Sequence, residues 1–396
     1  MIENRFSVGI DISADDFYVS LMCFDGQRSV VKGSKKFSNN YSGFVAFLKW
    51  LANKIKGGKA LFVMEATGVY YEELAYFLHC EGKDVAVVLA NKIKHYANSL
   101  NVKTKTDKVD AGTIALFGLE RRPDLWEPMS PLLRDIRYLC RERLSLKNDL
   151  TRVKNQLHAL KRSHNAYEGV MDLKQQHIDF MEGAIEEIEK QISVLIDSDK
   201  KLKKGVAKLE TIVSIRKFTI ITILCETNGF WGFNSIRQVV SYAGLDVKHH
   251  QSGKYAGRSK ISKQGNVRIR QCLYMPALNA TQHNEPMKQL YERVIEKNPT
   301  LKRKGIVACM RKMLGLVFVL WKKDEEFDPN YQWKSKDKES DNKDKKRSNK
   351  DITSGNDEKS SPLVLQLAEL KKKEVGITPT SQDKHRFKES KLSSCL

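Results

Sequence analysis

The chain has 396 residues, enough for two or three domains with sizeable cores. Its 69 Lys and Arg outweigh 48 Asp and Glu, and the formal net charge of +21 favours a polyanionic partner, nucleic acid above all, through long-range attraction and counterion release. Seven scattered cysteines without a Cys-x-x-Cys pair argue against zinc-finger and disulfide-framework classes, the start "MIENRFSVGIDIS" lacks the plan of a secretory signal, and no apolar run approaches a membrane span, so the expectation is a cytoplasmic protein with no membrane partner.

In chain order, "RFSVGIDISADDFYVSLMCFD" reads as two short strands around a tight turn, and "KALFVMEAT" and "KDVAVVLAN" as two further buried strands. Amphipathic helical stretches fall at 41–56, 69–81 and 107–119. Strands followed by alternating strands and helices predict a mixed α/β sheet covered by helices, ending near "RRPDLWEPMSP". Apolar residues then recur at heptad spacing through Leu132, Ile136, Leu139, Leu146, Leu150, Val153, Leu157 and Leu160, with Arg143 at the one missing position. The pattern resumes at Met181, Ile185, Ile188, Ile192 and Leu195, which predicts two long helices in an antiparallel hairpin or coiled coil. Residues 206–325 read as mostly helical around one Gly- and Lys-rich loop. The tail past Gln332 is charged and nearly free of apolar residues, hence disordered, with a short helix around "PLVLQLAELKKK".

Four carboxylates stand out. Asp11 sits inside the apolar strand "VGIDIS", where a carboxylate is costly unless paired or metal-bound, and Glu65 ends the apolar strand "LFVMEATG". Asp107 and Asp110 lie one turn apart at the head of a helix in "KTDKVDAGTIALFG". Two strand acids and a helical pair can converge at one sheet edge, and four hard oxygen donors suit Mg²⁺ or Mn²⁺. The plain alternative makes each acid an ordinary cap, with Asp107 the N-cap of its helix.

In the loop "HHQSGKYAGRSKISKQGNVRIR", Lys254, Arg258, Lys260, Lys263, Arg268 and Arg270 supply a dense positive field for phosphates, and Ser252, Ser259 and Ser262 offer hydroxyls. Read from the residues alone, this is a phosphate-binding loop whose serines donate hydrogen bonds, or a loop with an activated serine.

The segments "VGIDIS", "FVMEATGVYYEELAYFL", "KTDKVDAGTIALFG" and "YAGLDVKHHQSGK…GRSKISKQGNVRIRQCLYMPALNA" resemble, in order and over roughly residues 5–320, the insertion-sequence transposases of the IS one-ten type and the related Piv-type DNA invertases. The resemblance implies an α/β plus all-α chain. A RuvC-like, ribonuclease H-like domain would occupy 1–128 with Asp11, Glu65, Asp107 and Asp110 as its DEDD metal ligands. A coiled-coil helical hairpin would follow at 129–205, a serine-containing transposase domain at 206–330, and the charged disordered tail at 331–396.

It also implies excision and insertion of DNA through a covalent phosphoserine intermediate. A structured guide RNA would pair with the element ends and the target, within a homo-oligomer (dimer or tetramer) at the nucleoid of a prokaryotic cell. The family's Ser-Gly step matches Ser252-Gly253, so Ser252 is the expected nucleophile, with Ser262 and then Ser259 behind it. One departure is visible: Ser214 and Arg216 stand where relatives carry the glycines of a helix-hairpin-helix turn, so a different turn is expected there. A metal-dependent structure-selective nuclease of the Holliday-junction-resolvase kind, without a serine adduct, is the second reading. A non-catalytic nucleic-acid-binding protein is the third.

Overall fold

The alternation in the first segment forms a hairpin, β1 (Phe6–Ile12) and β2 (Asp16–Phe24), with the inward residues Val8, Ile10, Phe17, Val19 and Leu21 fully buried. The computed structural model describes residues 6–328 except 67, 102, 103, 105, 249, 250, 253, 254, 258 and 259, and the backbone alone at 251, 252, 255 and 256. The expected tail disorder and its short helix lie outside the described residues.

A third strand, β3 (Ser29–Ser38), extends the hairpin at the sheet edge. Its sequence "SVVKGSKKFS" shows no apolar alternation because an edge strand with one solvated face does not require it, and its lysines are of the kind that blunt an exposed edge. The helix α1 (Tyr41–Ile55) follows, capped by Asn40, and β4 (Ala60–Glu65), α2 (Glu72–Cys80) and β5 (Asp84–Val88) complete the alternation. The segment read as one strand through Asn91 divides: the chain leaves β5 and enters α3 (Ala90–Ser99), then α4 (Asp107–Arg121).

The strand order is β3-β2-β1-β4-β5. The first three strands are antiparallel, and β4 and β5 run parallel to β1. This is a mixed sheet, as the run of strands and helices in the sequence predicts. One face packs on α1 and α2 through Val8, Ile10, Phe17, Phe44, Phe47, Phe62 and Leu74, and the other on α3 and α4 through Val63, Val88, Ile93, Ile114 and Phe117.

The heptads form α5 (Pro131–Leu160) and α6 (Glu168–Ser198). Their cross-pairs Arg143–Glu189, Lys147–Glu189 and Lys154–Glu182 run in opposite directions along the two helices, so the pair is antiparallel. Arg143, the residue that interrupts the heptads, bonds Glu189 at 2.6 Å and stacks its guanidinium 4.1 Å from the Phe218 ring centroid, which accounts for a charge at a seam position.

Beyond it, α7 (Lys200–Glu210), α8 (Lys217–Glu226), α9 (Ile236–Tyr242), α10 (Val267–His283), α11 (Glu285–Glu296) and α12 (Lys302–Lys323) share one core with the proximal ends of α5 and α6. Ile220, Ile223, Leu224, Leu273, Met313 and Val317 are fully buried there.

The α7–α8 turn keeps a left-handed step without glycine: Ser214 adopts φ 77°, and its buried hydroxyl has no hydrogen-bond partner among the described residues. A non-glycine residue in that region and an orphaned hydroxyl both cost stability. The Ser214→Gly protein should therefore be more stable by about 1 kcal/mol, read as a higher denaturant midpoint at unchanged slope.

Candidate active site

Strand alternation decides where the acids point. A Cβ on Gly9 would collide with the backbone of Ala111 and Ala115, so α4 lies directly on β1 at this residue. Asp11 is two residues further along β1 and faces the same way. On the neighbouring parallel strand, Val63 belongs to the α4-facing core, and Glu65, two residues on, shares its face. Ile10 pairs with Met64 in register, so Asp11 and Glu65 stand side by side at the adjacent ends of β1 and β4.

Helix direction brings the other two acids to the same end. Gly118, late in α4, abuts Ser7 early in β1, while Ala111, early in α4, abuts Gly9. The N-terminus of α4 therefore projects toward Asp11 and Glu65. Asp107 and Asp110 occupy its first turn, where the positive end of the helix dipole favours carboxylates. The cap is Thr106, whose hydroxyl accepts the Val109 N–H, so Asp107 is not the cap that the plain alternative required.

Asp107 also acts electrostatically on Lys36 of β3, whose ammonium lies 2.7 Å from Asp16. Register aligns Lys36 opposite Tyr18, and Tyr18 opposite Asp11, so one line of side chains crosses the sheet on the α4 face. Asp11, Glu65 and Asp110 each take part in an interaction of their own. Among the described residues, no group of three or more His, Cys, Asp or Glu side chains stands close enough to hold a metal ion. The fold thus brings the four acids to one end and one face without drawing them into a single coordination shell. A set of four carboxylate donors on one face fits a hard divalent cation in chemical type.

Ser252 lies on a separate element. β6 (Val247–Lys248) pairs with β9 (Lys260–Ile261), and inside it β7 (Gln251–Ser252) pairs with β8 (Tyr255–Ala256), so Ser252 sits in the inner ladder of a nested hairpin, opposite Tyr255. Lys254, Arg258 and Ser259 lie outside the described residues.

The root of the hairpin is tightly bonded. The N–H groups of Ser262, Lys263 and Asn266 donate to the carbonyls of Asp246, Gly244 and Tyr242 at 2.8, 3.0 and 2.7 Å. The Ser262 hydroxyl donates to the Asp246 carboxylate and accepts the Gln264 N–H. Lys260 and Lys263 are exposed, and Arg268 is partly exposed. Arg270 differs from the other expected phosphate ligands, because its Nη1 donates to the carbonyls of Ala243 and Gly265 and ties the root together.

Behind the root lies a buried carboxylate that the pattern reading passed over. Glu226 closes α8 with its side chain 2% exposed. It accepts two hydrogen bonds from Arg141 (2.7 and 3.0 Å) and one from Asn266 (2.8 Å). Burial pushes its pKa up, but the hydrogen bonds from Arg141 and Asn266 and the charges of Arg141 and Arg268 outweigh this and hold it below the usual glutamate range. A lone acid ending the apolar run "TIITILCE" was the signal available in the sequence.

Two sequence profiles match the chain: a DEDD transposase profile over residues 8–164, and a transposase profile of the IS116/IS110/IS902 family over residues 206–292. The chain belongs to the IS116/IS110/IS902 family of transposases. It is accordingly an enzyme of DNA recombination, acting by phosphoryl transfer. Its relatives include the pilin gene-inverting proteins of Moraxella bovis and Moraxella lacunata, each 29% identical over 323 residues that cover 81% of this chain and 97% of the relative. Among solved structures, the fowlpox virus Holliday junction resolvase aligns at 12% identity and a TM-score of 0.22, over 30% of this chain and 99% of that one. No helix among the described residues is long and apolar enough to cross a membrane.

Two outcomes check this geometry. Gly9→Ala should destabilise the protein by about 1–3 kcal/mol in denaturant melts and depress strand cleavage, because the backbone of α4 must move off β1. For Glu226, a pKa depressed on folding means stability that is fully present above its unfolded value near 4.5 and is lost as pH falls through the folded value. The Glu226→Gln protein should be less stable than wild type at pH 7 and should show a shallower loss below about pH 5, measured as denaturant midpoints against pH.

Proposed function

We propose that this transposase excises and inserts an insertion sequence through a composite site, with Asp11, Glu65, Asp107 and Asp110 on one side and Ser252 on the other. The observation that carries the reading is the placement of all four acids on one face and one end of the sheet, at the head of α4. The functional segments would be the acid-bearing sheet over 1–128, the helical hairpin over 129–205, the serine-containing helical region over 206–330 and the tail over 331–396.

Mg²⁺ or Mn²⁺ is the cation that this donor set would hold, and it would supply stabilisation of the charge developing on the scissile phosphate. The acids bind and orient. The Ser252 hydroxyl attacks phosphorus, its oxygen–phosphorus bond forms as a bond to a DNA sugar oxygen breaks, and the serine proton ends on the released DNA hydroxyl. The phosphoserine ester keeps the energy of the broken phosphodiester, so the strand reseals onto a new partner without added nucleotide. Lys260, Lys263 and Arg268, with Lys254 and Arg258, would contact the phosphates of DNA and of a structured guide RNA, in the cytoplasm at the nucleoid. Preference for Ser252 over Ser262 is supported by the commitment of the Ser262 hydroxyl to Asp246 and Gln264 at the hairpin root.

Assembly follows from the same chemistry, since strand exchange needs more than one cleavage centre and a closed homo-oligomer, a dimer or tetramer, supplies them. On α6, Leu173, Phe180 and Val194 are 65%, 70% and 68% exposed at heptad-related positions, which supports a role for the helical pair in joining protomers. Replacing Leu173 and Phe180 by Glu should convert the assembled species to monomer in light scattering and abolish recombination. A wild-type protein that stays monomeric with RNA and DNA would overturn the assembly reading.

The deciding experiment compares Asp11→Asn, Ser252→Ala and Ser262→Ala in a recombination assay supplied with the element ends, with adducts mapped by mass spectrometry. Asp11→Asn should lose at least 100-fold in strand cleavage, on the order expected for loss of a catalytic carboxylate, while keeping nucleic-acid binding. Ser252→Ala should abolish the covalent species, and Ser262→Ala should retain it. Metal-dependent cleavage without any adduct would instead establish the hydrolytic nuclease.

A further inference from the structure

The first three turns of α5 carry four side chains on one face that reach two different parts of the molecule. Toward the sheet, the Arg134 guanidinium lies 5.4 Å from the Tyr76 ring centroid, Arg137 stands 3.7 Å from Glu72, and the Tyr138 hydroxyl donates to Glu72 at 3.2 Å. Glu72 opens α2, a short loop after Glu65. Toward the helical region, Arg141 grips Glu226 with Nε and Nη2. Residues 134, 137, 138 and 141 follow the spacing that aligns side chains along one helix face.

Glu226 then closes a small circuit. Its second oxygen accepts from Asn266 Nδ2, the Asn266 N–H donates to the Tyr242 carbonyl at 2.7 Å, and the Tyr242 hydroxyl donates back to the Glu226 carbonyl at 3.0 Å. Asn266 is also the N-cap of α10, where its Oδ1 accepts the N–H groups of Arg268 and Ile269. Tyr242 and Asn266 flank the nested hairpin on its two sides, so whatever holds them holds the point from which the hairpin leaves the core.

We propose that Glu226 is a positioning residue for recombination: gripped by Arg141 of α5, it fixes Asn266 and Tyr242 and thereby sets how the Ser252 hairpin projects relative to the acid-bearing sheet. This rests on the reading of that hairpin as the bearer of the nucleophile. Glu226 is not itself a catalytic residue, because a carboxylate 2% exposed and saturated by two side chains cannot reach a phosphate. Its role is to convert the seat of α5, which also bonds Glu72 at the head of α2, into the orientation of the serine. A charged pair suits this better than an apolar contact, since a two-point Arg–carboxylate bond has one geometry while apolar surfaces slide.

The test uses the full-length protein with its nucleic acids and compares wild type, Glu226→Gln and Arg141→Lys. Glu226→Gln keeps the shape and removes the charge. Arg141→Lys keeps the charge and removes the two-point bond. Amide hydrogen exchange is read at Ser262, Lys263 and Asn266, whose N–H groups close the root, and at Cys309 and Met313 in the core of α12.

Expected for Glu226→Gln is at least tenfold faster exchange at the three root amides, unchanged exchange in α12, DNA affinity within twofold, and strand exchange slowed at least tenfold. Arg141→Lys should shift the same amides and the same rate by about threefold, and it decides the matter should the glutamine variant fail to fold. Root amides that exchange as in wild type overturn the proposal. So do root amides that loosen while strand exchange stays within twofold, or loosening spread equally into α12. An adduct on a residue other than Ser252, with the root loosened and strand exchange slowed, would overturn the nucleophile assignment and leave the positioning role standing.

Discussion

The contact of α4 with β1 at Gly9 is the constraint on which the acid-bearing half depends. Helix and strand backbones touch there because no side chain separates them, and any larger residue would drive the helix away. That close approach fixes both height and direction of α4, and so places Asp107 and Asp110 over the ends of β1 and β4. Asp11 itself is tolerable in an apolar strand for the same reason: it lies beyond the Gly9 contact on the α4 face, is only half-buried and takes part in an interaction there. The positive pole of α4 lies there too, so the helix terminus and Lys36 set positive charge against the carboxylates on one edge.

A second constraint joins this edge to the helical region. Burying Glu226 is unfavourable unless its charge is met at short range, and the structure meets it with Arg141 and Asn266 on one carboxylate. Since Arg141 belongs to α5 and Asn266 to the hairpin root, one buried charge sets the geometry of two elements far apart in sequence. Arg143 repeats the device two residues on, binding Glu189 of α6 and stacking on Phe218 of α8. The start of α5 thus reads as a rod with basic side chains to both sides: Arg134 and Arg137 toward the sheet, Arg141 and Arg143 toward the helices.

The net positive charge has to be read against these internal uses. Arg141, Arg143 and Arg270 spend guanidinium donors on carboxylates and carbonyls of the protein itself, and Arg270 shows that a basic loop residue is not thereby a phosphate ligand. What remains for a polyanion is the exposed set, of which Lys260 and Lys263 flank the hairpin root. A surface of that kind contacts phosphates and gives affinity without base recognition.

Much was legible in the chain itself. Strand patterns marked β1, β2, β4 and β5, heptads marked α5 and α6, and four acids stood out: Asp11 and Glu65 because a carboxylate inside or at the end of an apolar strand needs a reason, Asp107 and Asp110 as a pair one turn apart at a helix head. These signals are local, and local physics, namely which face of a strand or helix meets water, is what a sequence records. β3 escaped because an edge strand has little apolar face to alternate, and α3 because a short helix after a strand shares its composition.

How the four acids are placed, and that Glu226, Arg141 and Asn266 meet behind the hairpin, were decided only by tertiary structure. Each depends on two backbones or two side chains brought together from distant parts of the chain. The energies that settle such meetings, close packing at Gly9 and charge neutralisation at Glu226, belong to pairs of residues that no single stretch of sequence contains.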